Sequence, residues 1–294
     1  MSNREVARVV EAQPTSDGAG VKLNRSLGTQ ALPMLDPFLM LDEFYTDDPD
    51  DYVAGFPSHP HRGFETVTYM LAGAMEHKDS VGNQGNLRAG SVQWMTAGRG
   101  IIHSEMPRQE DGLMWGFQLW VNLPRASKMM PPRYQDIAPD AIPEVKVGQA
   151  SVRVIAGEVA GTRGPVEGIV TAPLMLDVKL PAGERVRLEV ARDHNAFVYV
   201  FDGDARLGER GTPVARGHLA VLGEGDASAP AGTAGPSSDV VTAVGGDKGA
   251  RLLLLAGKPL GEPVARYGPF VMSTQAEIRQ AVLDYQAGRL DRPA

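Results

Sequence analysis

The chain has 294 residues, a formal net charge of −7 and no cysteine. The lack of cysteine excludes disulfides, thiolate ligands and cysteine nucleophiles, and the negative charge argues against direct binding of nucleic-acid phosphates. No apolar run has membrane-spanning length and the first residues show no signal-peptide core, so we expect a cytoplasmic protein without membrane contact. The 34 glycines and 22 prolines favour a turn-rich, all-β chain.

The first half of the chain has the pattern of short strands separated by turns. We predict strands over Val6–Val10, Asp36–Phe44, Glu65–Leu71, Ser91–Met95 and Met114–Leu123. Glycine and asparagine pairs between Ser80 and Asn86 are typical of a turn. Strands at this spacing predict a small barrel or sandwich.

Prolines between residues 131 and 143 indicate a stiff connection, where we place the domain boundary. The predicted domains are an N-terminal barrel, 1–135, and a C-terminal barrel, 136–294. The second strand set is predicted over Ser151–Ala156, Leu174–Leu180, Arg185–Val190, Ala196–Phe201, His218–Leu222 and Arg251–Leu255. Ala227–Ser238, rich in alanine, glycine, proline and serine, is interpreted as an exposed loop.

One helix is predicted near the C-terminus, at about 275–287. Thr274 and Glu277 form the pattern of a capping box, which marks the start of a helix. Ile278, Val282 and Tyr285 would supply its apolar face.

The two halves align as degenerate copies of one unit. The alignment pairs Thr66–Gly73 with Ala196–Gly203, and Arg88–Val92 with Ala215–Leu219. It places His59 on Glu189 and His61 on Ala191. The second copy therefore lacks the pair of imidazoles that the first copy carries.

Histidines and acids occur at alternate positions in two strand-like segments. Because every second residue of a strand faces the same side, His59 and His61 point together, and so do His103 and Glu105. Glu65 lies four residues after His61 and shares its side if the strand is continuous. Three imidazoles and one carboxylate suit a divalent metal ion, and these ligands leave Fe, Mn, Co, Ni, Cu and Zn open.

These segments resemble the two metal motifs of the cupin superfamily, and more closely those of the pirin family of bicupins. The resemblance lies in His59–Val67 and Gln93–Glu105, together with Leu41–Phe44 and Tyr267–Met272. It implies two stacked β-barrels, a metal in the N-terminal barrel only, and a C-terminal helix that packs back on the body.

The resemblance also implies a ligand set. A general cupin pattern assigns Glu65 as the carboxylate ligand, whereas the pirin pattern assigns Glu105 with His59, His61 and His103. We follow the closer family and expect Glu105 to bind the metal. Glu65 would then be a nearby acid, and either carboxylate could accept a substrate proton.

Members of the pirin family are associated with the quercetin 2,3-dioxygenase reaction, which opens the central ring of a flavonol and releases carbon monoxide. The resemblance therefore implies a dioxygenase with one divalent metal ion, Fe(II) first among the candidates, and a small aromatic substrate. The rival hypothesis is an iron-dependent, redox-sensing regulator that binds a transcription factor or metabolic enzyme without catalysis. We expect a monomer in either case.

Other conspicuous side chains receive structural interpretations. His77, beside Lys78 and Asp79, is interpreted as a solvated loop histidine, and Arg62 and Arg99 as residues that point away from the site or hold loops. The aromatic residues Trp94, Trp115, Phe117 and Trp120 are assigned to the barrel core, with their access to any cavity left open.

Overall fold

The structure, a computed structural model, describes residues 1–109, 111–223 and 238–292. Within them the chain forms 24 strands and one α-helix, which confirms the all-β expectation. The first twelve strands are β1 Val6–Glu11, β2 Gln13–Asp17, β3 Val21–Leu27, β4 Phe38–Thr46, β5 Phe56–His61, β6 Phe64–Ala72, β7 Ala74–Asp79, β8 Gln84–Arg88, β9 Val92–Thr96, β10 Ile101–Pro107, β11 Met114–Asn122 and β12 Arg133–Ile137.

The later strands are β13 Glu144–Val147, β14 Ala150–Ala156, β15 Glu158–Val159, β16 Thr162–Arg163, β17 Leu174–Leu180, β18 Arg185–Ala191, β19 Asn195–Leu207, β20 Thr212–Ala215, β21 His218–Leu222, β22 Ser238–Gly257, β23 Ala265–Tyr267 and β24 Phe270–Met272. The helix, α1, spans Gln275–Gln286. Single-turn 3₁₀ helices lie at Pro49–Asp51, Arg125–Ser127 and Pro139–Ala141.

Contacts divide the chain into two units, which we name by their interiors. The histidine unit comprises Gln13–Thr29, Pro37–Pro139 and Leu260–Ala294, and the apolar unit comprises Met1–Ala12, Gln30–Asp36 and Asp140–Pro259. These units differ from the predicted contiguous domains, 1–135 and 136–294, because each end of the chain belongs with the other half. The cause is long-range pairing. Strand β1 pairs with β21 in the apolar unit, and a bridge joins residue 62 to residue 270 in the histidine unit.

The histidine unit contains two main antiparallel sheets, besides the two-stranded pair of β23 and β24. The larger has the strand order β12-β9-β6-β11-β4-β3-β2, and the smaller has the order β5-β10-β7-β8. Every residue of β9 is buried, and so are the first seven residues of both β4 and β6. Such runs occur where both faces of a strand are covered, so polar side chains on these strands face an interior.

The apolar unit repeats the same arrangement. Its main sheet has the order β1-β21-β19-β22-β17-β14-β13, with β18 paired to β22 and β20 paired to β19. Strand β6 lies between β9 and β11, and β19 lies between β21 and β22. The segments that the sequence alignment paired, Thr66–Gly73 and Ala196–Gly203, therefore occupy the same place in two sheets of the same order.

The strands of the second half fall close to their predicted positions. Strands β17 and β21 coincide with the predicted segments. Strand β22 is much longer than Arg251–Leu255, because its first part pairs with β18 and its second part with β17. The predicted loop Ala227–Ser238 lies outside the described residues except for Ser238, which begins β22.

The C-terminal helix begins with the predicted capping box, in which the Thr274 hydroxyl accepts from the Glu277 N–H. Its buried residues are Ile278 and Ala281, which pack against β23 and β24. The predicted apolar face was therefore partly wrong, because Tyr285 is 40% exposed and lies only at the edge of Phe270. In the described part of the chain, no helix has both the length and the apolar character that a membrane span requires.

Candidate metal centre

Strands β5 and β10 bring three histidines together. In their antiparallel register His59 lies directly opposite His103, and His61 lies opposite Ile101. Side chains of directly opposed residues are neighbours on one face of a sheet, and residues two apart on a strand share that face. The pairing of β5 with β10 therefore places all three imidazoles on one side.

The three rings form a compact group. Their centroids are 4.4 Å apart for His59 and His103, 4.6 Å for His59 and His61, and 4.8 Å for His61 and His103. One nitrogen from each ring lies within 4.8 Å of the other two, a span that could hold a metal ion. Among the described residues this is the one cluster of its kind.

Burial keeps two of these rings, His61 and His103, in the neutral form that binds metal. His61 and His103 are buried, and His59 is partly exposed. Burial lowers the pKa of both buried rings well below 6.5, and the charges of neighbouring histidines add to the effect. Both are therefore neutral near pH 7, with a lone pair available. Two buried nitrogens, His61 Nδ1 and His103 Nε2, have no hydrogen-bond partner, so the cluster fits a divalent metal ion.

Glu105 lies beside the cluster but outside the group of three. It is buried, and its carboxylate accepts from the Thr68 hydroxyl at 2.8 Å and from the Gln118 amide at 2.9 Å. The register between β10 and β5 shifts between His103 and Glu105, whereas β10 pairs with β7 without a shift. Its assignment as the fourth ligand stays a prediction.

Glu65 is a second buried acid on β6. Its carboxylate accepts from the Thr96 hydroxyl at 2.7 Å, across the pairing of β6 with β9. Burial raises the pKa of Glu65 to about 7, with the Thr96 hydrogen bond opposing the shift. A carboxyl group with this pKa can hold or release a proton near neutral pH.

The interpretation of His77 as a solvated loop residue was wrong. Strand β7 continues to Asp79, and His77 is buried opposite Glu105 on β10. Its Nδ1 lies 3.3 Å from the Nδ1 of His103, and its ring packs on Tyr134 at 4.7 Å. The alternation of Met75 and His77 inward with Lys78 outward could have revealed this. A metal-binding histidine usually donates its second ring N–H to a neighbour, and His77 is placed to accept it.

A cavity of about 570 Å³ opens beside the cluster. It is lined by Asp17, Gly18, Ala19, Arg25, Phe56, Pro57, Ser58, His59, His61, Gln118, Trp120, Arg266, Gly268 and Pro269, and we call it the histidine cavity. The Trp120 ring meets the His61 ring edge to face at 5.5 Å. Trp120 was assigned to the core, and it is indeed 94% buried, yet it also forms part of this wall.

The backbone that follows His61 is held by Arg62 and Lys128. The Arg62 guanidinium donates to the Asp284 carboxylate at 2.8 Å, to the Leu290 carbonyl at 3.1 Å and to the Arg99 carbonyl. The Lys128 ammonium is buried and donates to three acceptors, the Gly63 and Val271 carbonyls and the Asn122 amide oxygen. Residues 62 and 63, which follow His61 directly, are thereby fixed from two sides.

Comparisons with known proteins agree along the whole chain. The pirin family profile matches residues 20–121, and the profile of the pirin C-terminal cupin domain matches residues 175–291. A Pseudomonas aeruginosa protein provisionally named quercetin 2,3-dioxygenase is 49% identical over 294 residues, which cover 98% of both chains. The pirin-like protein of Caulobacter vibrioides is 49% identical over 291 residues, which cover 98% of this chain and 100% of that relative.

A solved structure gives the same result for the fold. The crystal structure of quercetin 2,3-dioxygenase from Acinetobacter baumannii superposes with a TM-score of 0.87 at 33% identity, covering 98% of this chain and 99% of that one. Both parts of the family profile match in order, and the relatives match at full length. The chain therefore belongs to the pirin family of bicupin proteins.

Proposed function

We propose that the protein is a metal-dependent dioxygenase that opens the central ring of flavonols such as quercetin, with release of carbon monoxide. The observation that carries the proposal is the cluster of three imidazoles beside a cavity large enough for a small aromatic molecule. The names of the Pseudomonas and Acinetobacter relatives support the same reaction class. Fold alone does not decide activity, so the site and its test carry the argument.

His59, His61 and His103 would hold the metal ion, with Glu105 as the fourth ligand. We propose Fe(II), which binds nitrogen and oxygen ligands and leaves positions open in other non-haem centres. Bound there, the ion supplies Lewis acidity toward a flavonol hydroxyl and redox capacity toward dioxygen.

The chain's own groups perform the remaining tasks. The carboxylate of Glu105 accepts the proton that the flavonol 3-hydroxyl loses, and the Gln118 amide orients that carboxylate while lining the histidine cavity. Glu65, whose pKa is about 7, provides a second buried proton acceptor. Phe56 and Trp120 give the cavity apolar walls, which favour a planar aromatic ligand.

The test is turnover of quercetin by Fe(II)-loaded protein in air, followed by loss of flavonol absorbance and by release of carbon monoxide. We expect turnover by the wild type and none by His61→Ala. His218→Ala is the matched control, because His218 lies in the apolar unit on β21, and it should retain full activity. Absence of turnover by the wild type, or equal turnover by His61→Ala, would remove the enzyme hypothesis and leave the regulatory one.

A further inference from the structure

Arg266 on β23 contributes a cation to the wall of the histidine cavity. Its guanidinium carbon lies 4.7 Å from the centre of the Trp120 ring, a cation–π contact. The same Trp120 ring also contacts the His61 ring, with 5.5 Å between the ring centres. The guanidinium and that imidazole therefore lie within about 10 Å of each other. Arg266 is thus held by a rigid aromatic ring at a short distance from the histidine cluster.

The second arginine of the cavity is already neutralised. Arg25 donates two hydrogen bonds of 2.7 Å to the Asp42 carboxylate and a longer one, 3.3 Å, to Asp17. Asp17, the carboxylate among the residues that line the cavity, also accepts from the Gly18 N–H at 2.8 Å. Neither Arg25 nor Asp17 can therefore bind a ligand without breaking existing hydrogen bonds.

Arg266 has no such partner. Within the described residues it forms no ion pair, and its hydrogen bond to the Leu39 carbonyl is long, at 3.4 Å. Partial burial lowers its pKa and the charge of Arg25 adds to this effect, whereas the carboxylates of Asp42 and Asp17 oppose it. Its side chain is exposed, so its remaining donors can reach a ligand. A planar guanidinium with free donors matches a carboxylate or an ionised phenol.

We propose that Arg266 binds an anionic group of the molecule that occupies the histidine cavity, so that the preferred ligand is an aromatic compound carrying a carboxylate or an ionised phenol. The aromatic part lies toward the histidine cluster, and the anionic part lies against the guanidinium over Trp120. This inference rests on the proposed function only in taking the histidine cavity as the substrate site. It makes Arg266 a determinant of specificity.

The experiment compares two probes with the same flavonol skeleton, 3-hydroxyflavone and its derivative with an added carboxylate, 4′-carboxy-3-hydroxyflavone. Their dissociation constants are measured by titration calorimetry under argon, with Fe(II)-loaded wild type, Arg266→Gln, Arg266→Lys and Arg279→Gln. Arg279 is the matched control, because it is an exposed arginine of α1 that does not line the cavity.

We expect the wild type and Arg279→Gln to bind the carboxylate probe about tenfold more tightly than the neutral one, as for one charge-assisted hydrogen-bonded pair. Arg266→Gln should bring the two constants to within about twofold without changing affinity for the neutral probe, and Arg266→Lys should restore part of the preference. Equal constants in the wild type, no binding of either probe, or an unchanged preference in Arg266→Gln would overturn the proposal.

The two proposals fail separately in this design. A preference for the carboxylate probe that depends on Arg266, with no oxygenation of either probe in air, would remove the dioxygenase and keep the anion site. Oxygenation of both probes with no preference for the carboxylate would keep the dioxygenase and remove the role of Arg266.

Discussion

The histidine unit and the apolar unit share one strand order but have different interiors. In the apolar unit the inward positions of β18 are Val186, Leu188 and Val190, which belong to a cluster of buried aliphatic side chains. Glu189, which aligns with His59, faces outward there. The same sheet order thus encloses a cluster of aliphatic side chains there, whose burial favours folding. We therefore expect the histidine cluster to be an addition to this fold and not part of what holds it together.

The largest effect should follow from removing one imidazole. His61→Ala or His103→Ala should reduce metal affinity at least about 100-fold, since each supplies one of three clustered nitrogens. Elemental analysis after dialysis against the metal measures this. His218→Ala in the apolar unit should keep full metal content. Global unfolding of His61→Ala, judged by circular dichroism, would contradict the independence of fold and cluster.

The two buried acids of the histidine unit should differ in their effect on the metal. Glu105→Gln should weaken metal binding by roughly 10–100-fold, whereas Glu65→Gln should change it by less than about threefold. The two variants should differ because Glu105 is proposed to bind the metal, whereas Glu65 is proposed to accept a proton without binding the metal. Competition titrations with a chelator compare the two variants. The reverse order would transfer the ligand role to Glu65.

Acid should destabilise the metal-free histidine unit. His61 and His103 have folded-state pKa values below 6.5 through burial, so the unfolded chain takes up protons first as the pH falls. Their contribution to stability is complete above about pH 6.5 and is lost below it, at up to about 1.4 kcal/mol per pH unit for each ring. Urea denaturation of the metal-free protein between pH 7.5 and 5.5 measures the slope.

Glu65 acts in the opposite direction in the same window. Its folded-state pKa of about 7 lies above the unfolded value, so the folded protein gains stability as the pH falls from 7 toward 4.5. Glu65→Gln should therefore steepen the acid loss. The double variant His61→Gln/His103→Gln should reverse the sign of this pH dependence, so that stability rises as the pH falls. A wild-type slope of zero that neither variant changes would refute both assignments.

The link between the C-terminal helix and the ligand segment offers a smaller effect. Asp284→Asn should lower the free energy of unfolding by about 1–3 kcal/mol, because Arg62 is left buried with a weakened partner. Arg289 also pairs with Asp284, at 3.8 Å, but is 58% exposed. Arg289→Gln, the matched control, should cost less than about 0.5 kcal/mol. Equal costs in urea denaturation would show that the Arg62 contact carries no special weight.

The smallest expected effect concerns His77. His77→Phe keeps the ring volume but removes the acceptor for His103, so metal affinity should fall about tenfold with little change in melting temperature. His77→Gln should recover part of the affinity. Chelator competition measures the metal affinity of both variants, and thermal melts measure their stability. A packing effect of the substitution would lower the melting temperature instead of the metal affinity.

Much of the histidine unit could be predicted from the sequence, because its signals are local. Because side chains alternate along a strand, the sequence alone predicts that His59 and His61 share one face of β5 and that His103 and Glu105 share one face of β10. The pairing of β1 with β21 in the apolar unit could not be predicted. The two strands lie more than 200 residues apart in the sequence, and such a pairing leaves no local sequence pattern. Likewise, the place of Arg266 over Trp120 is set by tertiary packing of β23, and His77 was missed because its strand ends in charged residues.

The central claim is that β5 and β10 hold one metal ion between three imidazoles. Crystals of the protein grown with Fe(II) under argon, with data collected on both sides of the iron absorption edge, test it most directly. The account predicts a single anomalous peak in contact with His59, His61 and His103. A metal-replete crystal with no peak at these rings, or with its peak in the apolar unit, would contradict it.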